Sequence, residues 1–180
     1  CHGWFKYLAP LVADATKGEG EFSLRIAKAD VPLRFPRQAD IQGSVNIHRA
    51  QLGPGPLTRE LIAVAQVVRS LVEAGRSGRT GAGESRWVEL PEQAFPFRVE
   101  KGKVTHTNMT MQVGDVTIRT RGWVGFNQQL GLVAEVPIRD RWIARHPELA
   151  GLKGQTLRLP IRGTLDHPKL DRRALTKLTQ

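Results

Sequence analysis

Hydrophobic and polar residues alternate along most of this chain, and where they do not, their spacing is helical. From Glu21 the period is two. Phe22, Leu24 and Ile26 alternate with Ser23, Arg25 and Ala27, and the segment runs out near Pro32, which predicts a half-buried strand. A second strand follows, with Ile41, Val45 and Ile47 on one face and Gln42, Ser44, Asn46 and His48 on the other, until Gly-Pro-Gly-Pro at 53–56 stops it. Pro56 is placed to open a helix, because its missing N–H falls where no intrahelical acceptor exists. Leu57, Leu61, Val64, Val68 and Leu71 then recur at helical spacing to about Glu73, and Ile62, Ala65 and Val72 widen the stripe. Such a helix is expected to lie largely buried against a sheet. A shorter helix is predicted at the N-terminus, through Trp4, Tyr7, Leu8, Leu11 and Val12 with a kink or restart at Pro10. Another is predicted at the C-terminus over "DRRALTKL".

The stretch "GRSGRTGAGES" at 75–85 reads as an exposed, flexible loop. It is not a phosphate cradle: no Gly-Lys-Ser/Thr follows, and a helix precedes it where a phosphate loop needs a strand. After it the pattern is almost unbroken strand. "AFPFRVE" turns at Lys101-Gly102 into "KVTHTNMTMQV", which turns at Gly114-Asp115 into "VTIRTRGWVGF", which turns at Asn127-Gln128 into "LGLVAEVPI". Four antiparallel strands joined by two-residue turns are the local signature of a meander. Val116, Ile118, Val124 and Phe126 share one face, opposite Thr117, Arg119, Arg121 and Trp123, and Leu130, Leu132, Ala134, Val136 and Ile138 repeat the scheme. The sheet therefore has one wet face. Residues 139–150 read as a short helical excursion, and "LPIRGTLDHPKLD" at 159–171 returns to the sheet. There Gly163 is expected to mark a bend or a close approach. Thr164 and Leu165 would finish the pairing, and Pro168 would stop the strand and send the chain into the final helix.

Composition narrows the function classes. A chain of 180 residues, 40% hydrophobic and 24% charged, forms a single domain (1–180) with a substantial core. The longest strongly apolar run, Leu61 to Val68, is interrupted by Gln66 and is far short of the roughly 20 residues of a membrane span. Beginning at Cys1, the chain reads as a fragment of a larger protein. A single cysteine excludes an internal disulfide framework and any multi-cysteine metal site. The net charge of +10 suits nucleic acid, an anionic membrane surface or an acidic partner. However, Lys and Arg are dispersed and never form a run of five, which favours a solvated sheet exterior carrying Arg25, Arg119, Arg121, Arg158 and Arg162. Nucleic acid is not the expected partner.

Candidate chemistry is sparse. Histidines at 2, 48, 106, 146 and 167 have no ligand spacing, and His48 and His106 fall on polar strand faces, where they are expected to be solvated. There is no GxSxG, no dinucleotide fingerprint and no paired carboxylate in a polar loop. Met109 and Met111 share a face with Val113 as a core patch. Trp123 is one aromatic, not a stacking platform, and cation–π packing on Arg119 or Arg121 is its simpler role. The expectation is a protein that is not an enzyme and uses no cofactor.

The meander and its ending resemble the C-terminal module of the AsmA-like proteins of Gram-negative-type envelopes. In that family a glycine turn opens a meander, a "G.vg" strand follows, and a late strand ends in "GTl..P". Lys101-Gly102, Gly122 to Gly125, and Gly163-Thr164-Leu165 with Pro168 occupy those places here. "WFKYLAPLVADAT", "GEFSL", "VPL" and "GPGPLTREL" look like the version in large envelope proteins of planctomycete-type bacteria. Asn127 stands where Asp is common, and both suit a hairpin turn. The resemblance implies an α+β fold in the periplasm: a long, curved, mainly antiparallel sheet, open like a trough, with its apolar face covered by two or three short helices. It further implies lipid handling or outer-membrane integrity, with phospholipid or acyl chains, an anionic membrane surface and other modules of the parent protein as partners. The groove would be lined by Phe22, Leu24, Ile26, Ile41, Val45, Val116, Ile118, Val124, Leu130, Leu132 and Val136. The alternative is that the helices fill the trough, leaving a structural or protein-interaction domain with a closed core.

Overall fold

Short connections and period-two patterning allow one pairing scheme, in which each strand lies antiparallel to its neighbour in the chain. The computed structural model describes residues 20–32, 34, 38–53, 55–73, 87–144, 150, 151 and 153–171. Its elements are β1 (Gly20–Asp30), β2 (Asp40–Leu52), α1 (Pro56–Glu73), β3 (Val88–Leu90), β4 (Gln93–Glu100), β5 (Lys103–Val113), β6 (Val116–Gly125), β7 (Gln129–Pro137), α2 (Asp140–Ile143), β8 (Thr156–Thr164) and β9 (Pro168–Leu170). All strands join one sheet in chain order, with β3 and β4 both lying between β2 and β5. These two are halves of one strand broken at Pro91–Glu92, where proline has no N–H for the ladder. The terminal helices predicted from the sequence and the 75–85 loop lie outside the described residues.

The α+β expectation with two or three covering helices is overturned: the described residues are nearly all antiparallel sheet, and among them α1 is the single helix of seven residues or more. α2 is one turn. The apolar stripe of α1 is wide. Leu57, Leu61, Val64, Ala65 and Val68 are each no more than 1% exposed, and α1 packs against β3, β5, β6 and β9. Beneath it lie Ile47, Leu52, Phe95, Met109, Met111, Ile118, Leu132 and Leu157, all fully buried. Each such side chain contributes about 1.5–3 kcal/mol of transfer free energy.

A bulge sets which residues of β5 face this core. Strict alternation over Lys103–Val113 would put Val104 and His106 opposite Met109, Met111 and Val113. Instead His106 pairs with Gly122 and Met109 with Thr120, leaving two residues of β5 against one of β6, and Asn108 takes a φ of 56°. The extra residue flips the parity, so all five side chains point inward. The expectation of a solvated His106 is corrected here: it is 4% exposed.

Lys101 and Gly102, with φ of 50° and 70°, make the predicted two-residue turn in the form that matches strand twist. The β6–β7 connection differs from a two-residue turn at Asn127-Gln128. It is a three-residue loop in which Gln128 N–H donates to Gly125 O at 2.9 Å and Gln128 has a φ of 67°. Asn127 Oδ1 accepts the Gln129 N–H at 3.2 Å, a role either Asn or Asp fills.

At the far edge, Gly163 has a φ of 110°, and a Cβ there would lie 2.5 Å from the His167 carbonyl oxygen. Pro168 does not end the sheet, contrary to the reading above: it opens β9 and pairs with Gly163. A proline is tolerated as the first residue of an edge strand because no ladder hydrogen bond is asked of it. Gly163→Val is expected to destabilise the fold by about 1–3 kcal/mol, through backbone strain and overlap with the returning chain. A denaturant midpoint that holds or rises would show that this backbone can relax.

Candidate functional site

The core face of the sheet extends beyond the core. Residues directly opposite in an antiparallel pair point to the same side. Phe22, Leu24 and Ile26 lie opposite Ile47, Val45 and Gly43, so all share the apolar face. Ile47 and Val45 are 1% and 5% exposed, whereas Phe22, Leu24 and Ile26 are 36%, 39% and 55% exposed. Ile41 lies between these extremes, packed on the margin of the core. Val31, just after β1, is also exposed.

This divides the predicted groove. Val45, Val116, Ile118, Val124, Leu130, Leu132 and Val136 are core, each 5% exposed or less, and form no open trough. Emptying that face would forfeit about 1.5–3 kcal/mol per side chain. What remains open is a strip one strand wide along β1, with Ile41 at its margin. Sequence periodicity identified the face, but not where its cover stops.

The opposite face carries the cations. Arg25, Arg119, Arg121, Arg158 and Arg162 are all exposed. Glu135 accepts ion pairs from Arg121 at 3.1 Å and Arg158 at 3.3 Å, contacts worth at most about 1 kcal/mol each at an exposed site. Trp123 stacks under Lys103, whose Nζ lies 4.3 Å from the ring centroid; this replaces the cation–π contact with Arg119 or Arg121 expected from the sequence. A shallow hollow of about 490 Å³ crosses β1, β2, β4 and β5, with Arg25, Gln42, Ser44, Pro96, Arg98 and Thr105 on its walls. Arg98 is already held there by Asp40 and Glu100, each at 3.4 Å. The hydrogen bond from Lys28 holds the Asp40 carboxyl below its ordinary range.

The remaining polar feature is internal. His106 Nε2 lies 3.2 Å from Thr120 Oγ1, both buried, and the Phe95 ring meets the imidazole edge-on with centroids 6.1 Å apart. Burial lowers the His106 pKa from 6.5 to about 4, so the ring is neutral at physiological pH. It faces core rather than solvent, which gives it a structural role. Its only sequence signal is Asn108, a residue that tolerates positive φ inside a strand pattern. Among the described residues, no group of three His, Cys, Asp or Glu is placed to hold a metal ion. No helix there is long and apolar enough to cross a membrane. No known family, curated protein or solved structure matches the chain.

Proposed function

We propose that this chain is a non-enzymatic cell-envelope module, periplasmic in setting, that handles acyl chains along the open margin of its sheet. One observation carries the reading: the apolar face continues from the closed core onto β1, where Leu24 and Ile26 stand in solvent. Exposed apolar surface next to a polar surround marks a contact site for lipid or protein. The AsmA-like character of the glycine motifs favours lipid, and the cationic opposite face suits anionic headgroups at roughly 1 kcal/mol per well-placed cation.

A second reading, a structural or interaction domain with no ligand, is favoured by the burial of most of the predicted groove. Native mass spectrometry after gentle purification separates the two. Wild type is expected to retain phospholipid. The double variant Leu24→Asp/Ile26→Asp is expected to lose it while melting within a few degrees of wild type, since exposed substitutions stay near 0.5 kcal/mol. A wild-type mass without lipid, where a control lipid-binding protein keeps its own, would leave only the second reading.

A further inference from the structure

The outer face of the sheet is not uniformly cationic. Within β1–β4, Arg25, Lys28, Arg49 and Arg98 are matched by Glu21, Asp30, Asp40, Glu89 and Glu100. Asp40 holds both Lys28 and Arg98. Within β5–β9 the balance is different: Lys103, Arg119, Arg121, Arg158, Arg162 and Lys169 stand against Glu135 alone. All six cations are exposed. Strand pairing gathers them on one side, because directly opposed residues point to the same face. Arg119 lies opposite Glu135, and Glu135 opposite Arg158, while Trp123, Gly131, Arg162 and Lys169 form a single row across four strands.

The layout of this charge specifies the partner. Across five strands about 4.8 Å apart, the six cations spread over a face roughly 19 Å wide rather than along one line. Trp123 lies among them. Its indole covers Gly131, where a Cβ would come within 2.8 Å of the ring nitrogen, and Lys103 Nζ stands 4.3 Å from the ring centroid. A partly exposed indole has the mixed apolar and polar character that seats in the headgroup layer of a bilayer. A nucleic-acid strand is held instead by a groove with successive stacking aromatics. An anionic bilayer presents charge in two dimensions, and the spread of these cations matches it.

We infer that the outer face of β5–β9 docks on an anionic lipid surface, with the outer face of β1–β4 standing outside the contact. Docking needs only this charge and the indole, so it does not rest on acyl-chain binding along β1. Each well-placed cation near such a surface raises partition about fivefold, and the gain fades within a Debye length of about 10 Å. Arg25 on β1 is four strand spacings from β6, roughly 19 Å, and contributes little.

Co-sedimentation with phosphatidylcholine vesicles carrying about one third phosphatidylglycerol, at about 0.1 M salt, tests the docking. Wild type is expected to bind these vesicles, to ignore pure phosphatidylcholine, and to be released at about 0.5 M salt. Two double variants remove the same charge from different places. Arg119→Gln/Arg162→Gln is expected to bind at least about tenfold more weakly, and Arg25→Gln/Arg49→Gln within about twofold of wild type. All four arginines are exposed, and circular dichroism should show the three proteins folded alike. No binding to anionic vesicles, equal binding to neutral ones, or equal loss in the two variants would each overturn the inference. Duplex DNA that strips the chain from the vesicles at equal phosphate concentration would also overturn it, and would assign the face to nucleic acid. A chain that docks on vesicles yet carries no phospholipid in native mass spectrometry supports the docking and removes only the acyl-chain reading.

Discussion

Gly122→Ala is expected to destabilise the domain by about 2–5 kcal/mol, a large share of the 5–15 kcal/mol that holds a typical domain together. Gly122 has a φ of 143°, where an L side chain is strained by roughly 1–3 kcal/mol. A Cβ there would also overlap the Gly131 carbonyl oxygen and lie 2.8 Å from the Leu132 Cα. Both atoms are backbone of β7, which is pinned on its far side by β8 through Gly131↔Arg162 and Leu132↔Ile161. They cannot step aside without breaking that ladder, so overpacking adds about 1–3 kcal/mol. Gly151 is the control, because a Cβ there meets nothing within 4 Å. Urea unfolding of both variants decides the point: equal midpoints would mean that the β6–β7 contact is softer than its geometry.

Acidification is expected to weaken the fold through His106 well before ordinary carboxylates titrate. The folded-state pKa is lowered to about 4 from 6.5 by burial, so the unfolded chain takes up the proton first. The stability contributed by the neutral ring is complete above pH 6.5, falls as pH drops through the interval, and levels off below about 4. At about 1.4 kcal/mol per pH unit, roughly 2 kcal/mol is gone by pH 5 and about 3 by pH 4. His106→Leu keeps an apolar body in the pocket and removes the titration. Its stability should change little between pH 7.5 and 5 while wild type declines, although it starts lower because the buried Thr120 hydroxyl loses its hydrogen bond with His106. Parallel pH profiles for the two proteins would rule out His106 as the source of the slope.

Much of the fold was legible in the sequence. The meander from β4 to β7, the tight turns at Lys101-Gly102 and Gly114-Asp115, and the apolar stripe of α1 all follow from short-range patterning, and the described elements match them closely. Two short strands escaped, β3 and β9, because three residues carry too little periodicity to register. His106 was misplaced for a different reason. Alternation is a sound guide only while the ladder keeps its register, and the bulge before Met109 shifts it by one. A one-residue slip changes the face of every residue beyond it.

The candidate site shows the same division. Phe22, Leu24, Val45, Val116 and Leu132 share one apolar face by sequence pattern alone, since alternation is a property of the extended backbone. Whether a member of that face is core or surface is decided by what lies above it. α1 spans the middle of the sheet, so Val116 and Leu132 are closed off while Leu24 and Ile26 remain in solvent. The basic outer face was equally readable, but the pairing of Arg121 and Arg158 on Glu135 required the register of three strands. Local pattern determined the elements, their order and the two faces of the sheet. Bulge positions and the reach of one helix were decided in three dimensions, because each depends on contacts between residues far apart in the chain.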